Sequence, residues 1–300
     1  MTSSPIKTAF KIFLQWIGAF IGFILSLMIA DMLSPLPKNI TDAAPAVGFL
    51  SLPAAMLFNG AVNAAILTWA ARRSSFKGFA LWMQLAALSF GAQTFLTQIE
   101  TGYFLHAFPL LQGNFEVYRF ILRGLVTSLL FTLLVALLAG GFSRKPREDA
   151  KFIVDTDRAV KAGAGLAAVY IALYMLFGYY VAWQSQELRL FYGGPVQLNS
   201  LIAQWTVTLM TIPELPVFQY FRGILWILCL IPLFKGFSGG RVELVVLSAL
   251  ALALLPTAQL AFPNPLMPAE VSLYHFWEVS VSTGIFGALC AWFIPMLRKV

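Results

Sequence analysis

Charge is what this chain has least of. Charged residues fill 11% of its 300 positions, against roughly a quarter in ordinary soluble domains. So few charges cannot cover a water-exposed surface, and a soluble globular fold is excluded. Cysteine is equally scarce. Cys229 and Cys290 both sit in apolar sequence, where they supply neither a disulfide framework nor a metal spacing and read as inert small core residues. A Walker-type glycine loop, a GxSxG elbow and an HExxH pair are all missing, so no cofactor is assigned from motifs.

Long apolar runs take the place of those features. Hydrophobic residues make up 59% of the chain, with a mean hydropathy of +0.80. Crossing the hydrocarbon core takes roughly 20 apolar residues, and eight stretches qualify, at about 9–30, 48–71, 78–99, 117–141, 162–183, 217–235, 242–261 and 273–295. The expected fold class is all-α: a polytopic membrane bundle of eight transmembrane helices. It forms a single integral membrane domain over 1–300, with one half at about 1–142, a cytoplasmic linker at 143–161 and a second half at about 162–300. Lys7 and Lys11 precede the first run as they would in a signal peptide. That run continues to Ala30, beyond the ~7–15 residues of a cleaved core, and Asp31-Met32 interrupts any small-residue cleavage site. It reads as a retained span.

The basic residues orient the bundle. Of 20 Lys and Arg, all except Lys38, Arg189, Arg119, Arg123 and Arg222 lie at the termini or in alternate loops. Positive loops stay cytoplasmic, so both termini are expected inside a cell (inner) membrane. The net charge of +7 is then a topology signal and a lipid-facing rim, not a nucleic-acid surface. Leu198–Ile212 is apolar but too short to cross and contains Asn199 and Gln204. It is expected to be interfacial or re-entrant, because a ninth span would put Lys235, Arg241, Arg298 and Lys299 outside.

The halves echo one another. Phe58-Asn-Gly60 recurs as Phe221-Arg-Gly223, Phe76-Lys-Gly78 as Phe234-Lys-Gly236, and Ala92-Gln93 as Ala258-Gln259. Four spans per half would make a duplication a parallel repeat. In that arrangement the fourth and eighth spans are equivalent and could face each other across the centre. Small residues in the eighth span (Ser280, Gly284, Gly287, Ala288, Ala291) and the fifth (Gly165, Ala168, Ala172) suit close helix packing.

Polar chemistry collects toward the outer ends of the spans. Arg123, Arg222 and Glu278 each fall roughly 8–9 Å below the outer boundary at ~1.5 Å per residue, with Gln93 at similar depth. Charge at that depth is costly unless paired or wet, so it marks a candidate site. Glu116, Arg119 and Arg123 share a stripe of the fourth span, and His275 and Glu278 share a face of the eighth. His275 and Glu278 are the candidate catalytic pair, acid/base and orienting carboxylate. Arg119, Arg123, Arg222, Gln93, Glu116 and Tyr180 are candidate substrate-binding residues, with guanidinium suited to an anionic headgroup. A structural ion pair of Arg123 or Arg222 with Glu278 explains the same charges without function. Helical HxxE with Glu270, Glu100 and His106 is a weak zinc pattern. Three outer loops, Gln98–His106, Trp183–Gly194 and Pro263–Pro268, look too specific for connectors, although Trp183, Tyr192, Trp205 and Trp277 also fit a headgroup-level aromatic belt.

The expected function is binding or modification of an amphipathic or anionic, lipid-like molecule from the extracytoplasmic side. A small-solute transporter and a non-catalytic scaffold remain as alternatives. The expected partner is the bilayer itself; protein partners are not indicated.

Overall fold

The computed structural model describes residues 5–43, 47–111, 113–143, 152–154, 156–294 and 296–298. Among these residues, eight helices are long and apolar enough to cross a membrane. In chain order these spans are Ile6–Leu33, Leu52–Arg73, Gly78–Tyr103, Phe115–Leu138, Thr156–Gln184, Leu215–Gly236, Arg241–Ala261 and Ala269–Phe293. The second and sixth both open with proline in the first turn (Pro53, Pro216), where the missing N–H has no intrahelical partner to lose. Leu201–Thr211 is an 11-residue helix and adds no crossing.

Hydrogen bonds between helix ends establish that alternate loops share one end of the bundle. Gln15 donates to Leu138 O (2.7 Å) and accepts from Arg72 (2.8 Å), tying together the start of the first span and the ends of the second and fourth. Glu243, beginning the seventh span, pairs with Arg73 (2.5 Å) and accepts from Trp69 Nε1 (2.8 Å). This is the basic end. The linker, expected to be wholly solvated, contributes one piece of structure there: Phe152–Val154 pairs antiparallel with Met296–Arg298. Residues 144–151 of the linker lie outside the described residues.

The halves pack alike. In the first half, the first span contacts the second and fourth, and the third contacts the fourth. In the second half, the fifth contacts the sixth and eighth, and the seventh contacts the eighth. Between halves, second meets seventh and third meets sixth, the exchange expected of a parallel two-fold repeat. The two loops at that axis form an antiparallel bridge, Ser74 with Phe237. Ser75 N–H donates to Gly236 O (2.6 Å) and Ser238 N–H to Arg73 O (2.7 Å).

Carried back along the helices, this register superposes Leu52-Pro53 on Leu215-Pro216, Phe58 on Phe221 and Gly60 on Gly223. The Phe76-Lys-Gly78 and Phe234-Lys-Gly236 echo falls out of register and is coincidental. An aromatic pair recurs too: Phe23–Phe131 (centroids 5.1 Å apart) joins first and fourth spans, and Tyr170–Phe286 (4.9 Å) joins fifth and eighth. The expectation that the fourth and eighth spans face each other is not met. The fourth packs on the first and third, the eighth on the fifth and seventh, because the axis is occupied by the second, third, sixth and seventh.

Small residues behave differently in the two predicted stripes. In the eighth span a Cβ on Gly287 would come within 2.5 Å of Ser248 O, and one on Gly284 within 3.1 Å of Ala253 Cβ. Backbone contact of that kind lets seventh and eighth lie close. In the fifth span Gly165, Ala168 and Ala172 are exposed. The packed face is instead Gly163, Leu166, Ala167 and Tyr170, adjacent positions on the helix. Gly287→Ala should therefore cost about 1–3 kcal/mol by overpacking. Gly165→Ala, with nothing within 4 Å of its Cβ, should leave the melting temperature unchanged or slightly raised. Detergent thermal melts of the two variants compare them directly.

Candidate functional site

Midway along its length, the third span departs from α-helical geometry. Phe90–Phe95 is π-helical, and such a wide turn displaces carbonyls from the regular ladder, often at functional sites. Neighbours close directly on it: a Cβ on Gly91 would meet Cys229 Sγ at 2.3 Å, and one on Gly124 would meet Thr94 Oγ1 at 2.1 Å. Carbonyls in and just beyond the wide turn take side chains from the other half. Gln259 Nε2 donates to Gln93 O (2.8 Å) and to Pro256 O (3.1 Å). Arg222 Nε donates to Leu96 O (3.1 Å).

Arg222 is buried, and each of its three guanidinium nitrogens has a partner. Nη1 donates to Glu100 Oε1 (2.7 Å), Nη2 lies 2.5 Å from Glu100 Oε2, and Gln219 Oε1 is 3.4 Å from Nη1. This is the two-pronged carboxylate geometry that arginine favours. The helix continues past the predicted end of the third span to Tyr103, which turns Glu100 inward from what the sequence suggested was a loop.

A second polar unit faces it from the eighth span. His275 Nδ1 is 3.0 Å from Glu278 Oε2, and His275 Nε2 is 2.9 Å from the Tyr192 hydroxyl. Burial, followed by the Glu100 and Glu278 carboxylates, raises the Tyr192 pKa and keeps its hydroxyl protonated. With Glu278 ionised, Nδ1–H donates to it, and in the neutral imidazole Nε2 accepts from the Tyr192 hydroxyl, a tautomer assigned from this network. The three side chains form a continuous Tyr–His–Glu hydrogen-bonded chain.

Tyr192 is held by an unusually well-tied loop. Arg189, buried despite its charge, donates to the carbonyls of Trp183, Gln184 (3.3 Å), Pro195 (3.1 Å) and Val196 (2.7 Å). Gly193 takes a left-handed φ of +73° in the turn after Tyr192, a conformation that favours glycine. Ser185 caps the Gln186–Phe191 helix through Leu188 N–H (3.1 Å) and donates to Glu270 (2.6 Å). Arg189→Ala should release this loop, cost roughly 2–3 kcal/mol, and increase protease cleavage between 183 and 196 before global unfolding.

These groups line one cavity of about 500 Å³, a size suited to a small molecule or part of a lipid. Glu100, Arg222, His275, Glu278, Tyr192 and Gln259 are on its wall. All three predicted outer loops reach it, through Gln98 and His106, through Trp183 and Gly194, and through Asn264 and Met267. Its side wall is the Leu201–Thr211 helix, attached to the fifth span by Trp205 Nε1 to Met175 O (3.3 Å), with Tyr179 O–H to Asn199 O (2.9 Å) just ahead of it.

The predicted site residues divide. Arg222, His275 and Glu278 share the cavity wall, while Gln93 is buried beside it and joins through its carbonyl. Arg123 lies elsewhere, paired with Asp31 of the first span, and Arg119 packs its guanidinium 4.8 Å from the Phe115 ring. Glu116 shares that fourth-span face, and Tyr180 is 59% exposed. None of these four lines the cavity. The expected ion pair between an arginine and Glu278 is replaced by Arg222–Glu100 and Arg123–Asp31. Asp31 is the lone carboxylate of the first span, the one signal that could have found it. The zinc arrangement is not assembled, for among the described residues no three His, Cys, Asp or Glu side chains group to hold a metal. Glu100 is engaged by Arg222 and Glu270 by Ser185.

Sequence reasoning missed Tyr192 as a hydrogen-bond partner and Tyr174 as a lining residue, since aromatics near a span end all resemble the interfacial belt. The chain matches no protein-family model, no curated protein and no solved structure.

Proposed function

We propose that this multi-pass membrane protein holds a single amphipathic molecule in the cavity at the end of the bundle remote from its basic loops. The observation that carries this reading is the side wall. On the Leu201–Thr211 helix, Gln204 is buried and, with Thr208, lines the cavity, while Ile202 and Met210 point away and are 69% and 79% exposed. Amides and hydroxyls toward the cavity, beside Trp205 and Val207, with a mainly apolar outer face are the reverse of a soluble amphipathic helix and suit a wall with lipid on its far face. An amphiphile entering past that wall keeps its chain in lipid and brings its head to Glu278, His275 and Tyr192. The Tyr192–His275–Glu278 hydrogen-bonded chain is the group able to hold or pass a proton there. The basic end belongs in the cytoplasm of a cell (inner) membrane by charge bias, so the cavity faces outward.

Native mass spectrometry of protein released from nanodiscs tests this. A retained amphiphile of one per chain should be lost in His275→Ala and kept in Arg123→Ala, whose guanidinium is outside the cavity. Equal retention in both variants would refute the assignment. Transport is the second reading, favoured by buried polar atoms without a partner among the described residues toward the basic end, Asn63 Oδ1, Gln84 Nε2 and Ser248 Oγ. Glu278-dependent solute uptake by proteoliposomes would support it over simple binding.

A further inference from the structure

The cavity's own charges bear on the headgroup it would accept. Its wall carries two carboxylates, Glu100 and Glu278, against one guanidinium, Arg222. That guanidinium is already engaged by both oxygens of Glu100 and by Leu96 O, so its fork is not free for a phosphate. A phosphate or carboxylate head would be desolvated beside Glu278 with no unengaged cation to offset it, a like-charge juxtaposition that disfavours binding. Arg123, the other deep arginine, is outside the cavity and paired with Asp31.

Neutral hydrogen-bonding groups are abundant by contrast. Gln98, Thr101, Gln204, Thr208, Gln259 and Asn264 all line the space. Amides and hydroxyls both donate and accept, and hydroxyl groups on a ligand do the same. One atom discriminates further: Gln98 Oε1 is buried and has no hydrogen-bond partner among the described residues. An orphan buried acceptor is satisfied by an O–H donor. A phosphodiester or a quaternary ammonium has no such donor to give. The aromatic faces of Tyr174, Trp183, Tyr192 and Trp205 on the same wall suit the apolar C–H faces of a saturated ring.

Resting on the amphiphile reading above, we infer that the ligand's headgroup is uncharged and bears several hydroxyls, as in a sugar-headed or polyol-headed lipid. Glu278 accepts from those hydroxyls through Oε1, the oxygen not bonded to His275, Gln98 accepts one more, and the chain lies toward the Leu201–Thr211 wall.

Three probes with the same twelve-carbon chain isolate the head: dodecyl glucoside, dodecyl phosphate and dodecyltrimethylammonium. Each is titrated into full-length protein in phosphatidylcholine nanodiscs below its micellar concentration, and binding is read from tryptophan fluorescence and native mass. The glucoside is expected to bind at least tenfold more tightly than either charged probe. Gln98→Leu should cut glucoside affinity about tenfold and leave the ammonium probe unchanged. Gln98 Oε1 makes no internal bond, so this variant should fold. Phosphate or ammonium binding as tight as the glucoside, at a site blocked by Gly178→Leu, would overturn the headgroup inference and leave the cavity reading intact. If no probe shows Gly178-dependent binding, the cavity reading itself fails.

Discussion

Glu100→Gln should lower stability by about 3–5 kcal/mol, the largest effect expected of any exchange among the charged cavity residues. The reason is asymmetric burial. The Arg222 side chain is 3% exposed and that of Glu100 is 24% exposed. Removing the carboxylate strands a guanidinium within the bundle, and an uncompensated buried charge is worth about that much. Arg222→Met is milder, because the carboxylate it releases borders the cavity and can be hydrated there. Replacing both, as Glu100→Leu with Arg222→Met, should recover most of the loss, since a buried pair exchanged for apolar side chains is often neutral. Unfolding in mixed detergent would order the variants as double mutant above Arg222→Met above Glu100→Gln. Equal losses in both singles, with no recovery in the double, would mean that the pair does not act as a unit.

Gly178→Leu should abolish ligand binding while making the protein more stable. Gly178 lines the cavity from the fifth span, and nothing lies within 4 Å of where its Cβ would be. A leucine there projects into the cavity without displacing protein atoms. Glycine within a helix costs roughly 0.8–1 kcal/mol relative to a good helix former, so its removal should raise the melting temperature by a few degrees. Opposite signs for affinity and stability are the signature of occlusion. Affinity and stability that fall together would indicate that residue 178 packs against protein atoms and does not border open space.

Span count and the location of polar chemistry are legible in the sequence because both follow from the bilayer. Apolar length and the rarity of charge are one-dimensional properties, and each can be read without knowing any neighbour. The HxxE pair is legible for the same reason: both side chains lie on one helix, and helical spacing brings His275 and Glu278 together. The likeness between the halves was half legible. Phe58-Asn-Gly60 and Phe221-Arg-Gly223 share the register that relates them, while the Phe76 and Phe234 triplets do not, and only the loop-to-loop bridge at Ser74 and Phe237 separates the two cases.

Tertiary structure decided which charges meet. Glu100, Asp31 and Tyr192 each come from elements distant in sequence from their partners, and no periodicity along one helix encodes an approach between two. Sequence order places Arg123 and Arg222 at equal depth, but helix rotation sends one to Asp31 on the first span and the other to Glu100 in the cavity. The π-helical turn at Phe90–Phe95 has no composition of its own, and a wide turn changes the register of the residues beyond it, Glu100 among them. The sequence by itself determined that this chain is an eight-span bundle with polar chemistry at one end, because the bilayer sorts residues by depth. Only the folded bundle decided which of those residues share a cavity, because depth leaves rotation about each helix axis free.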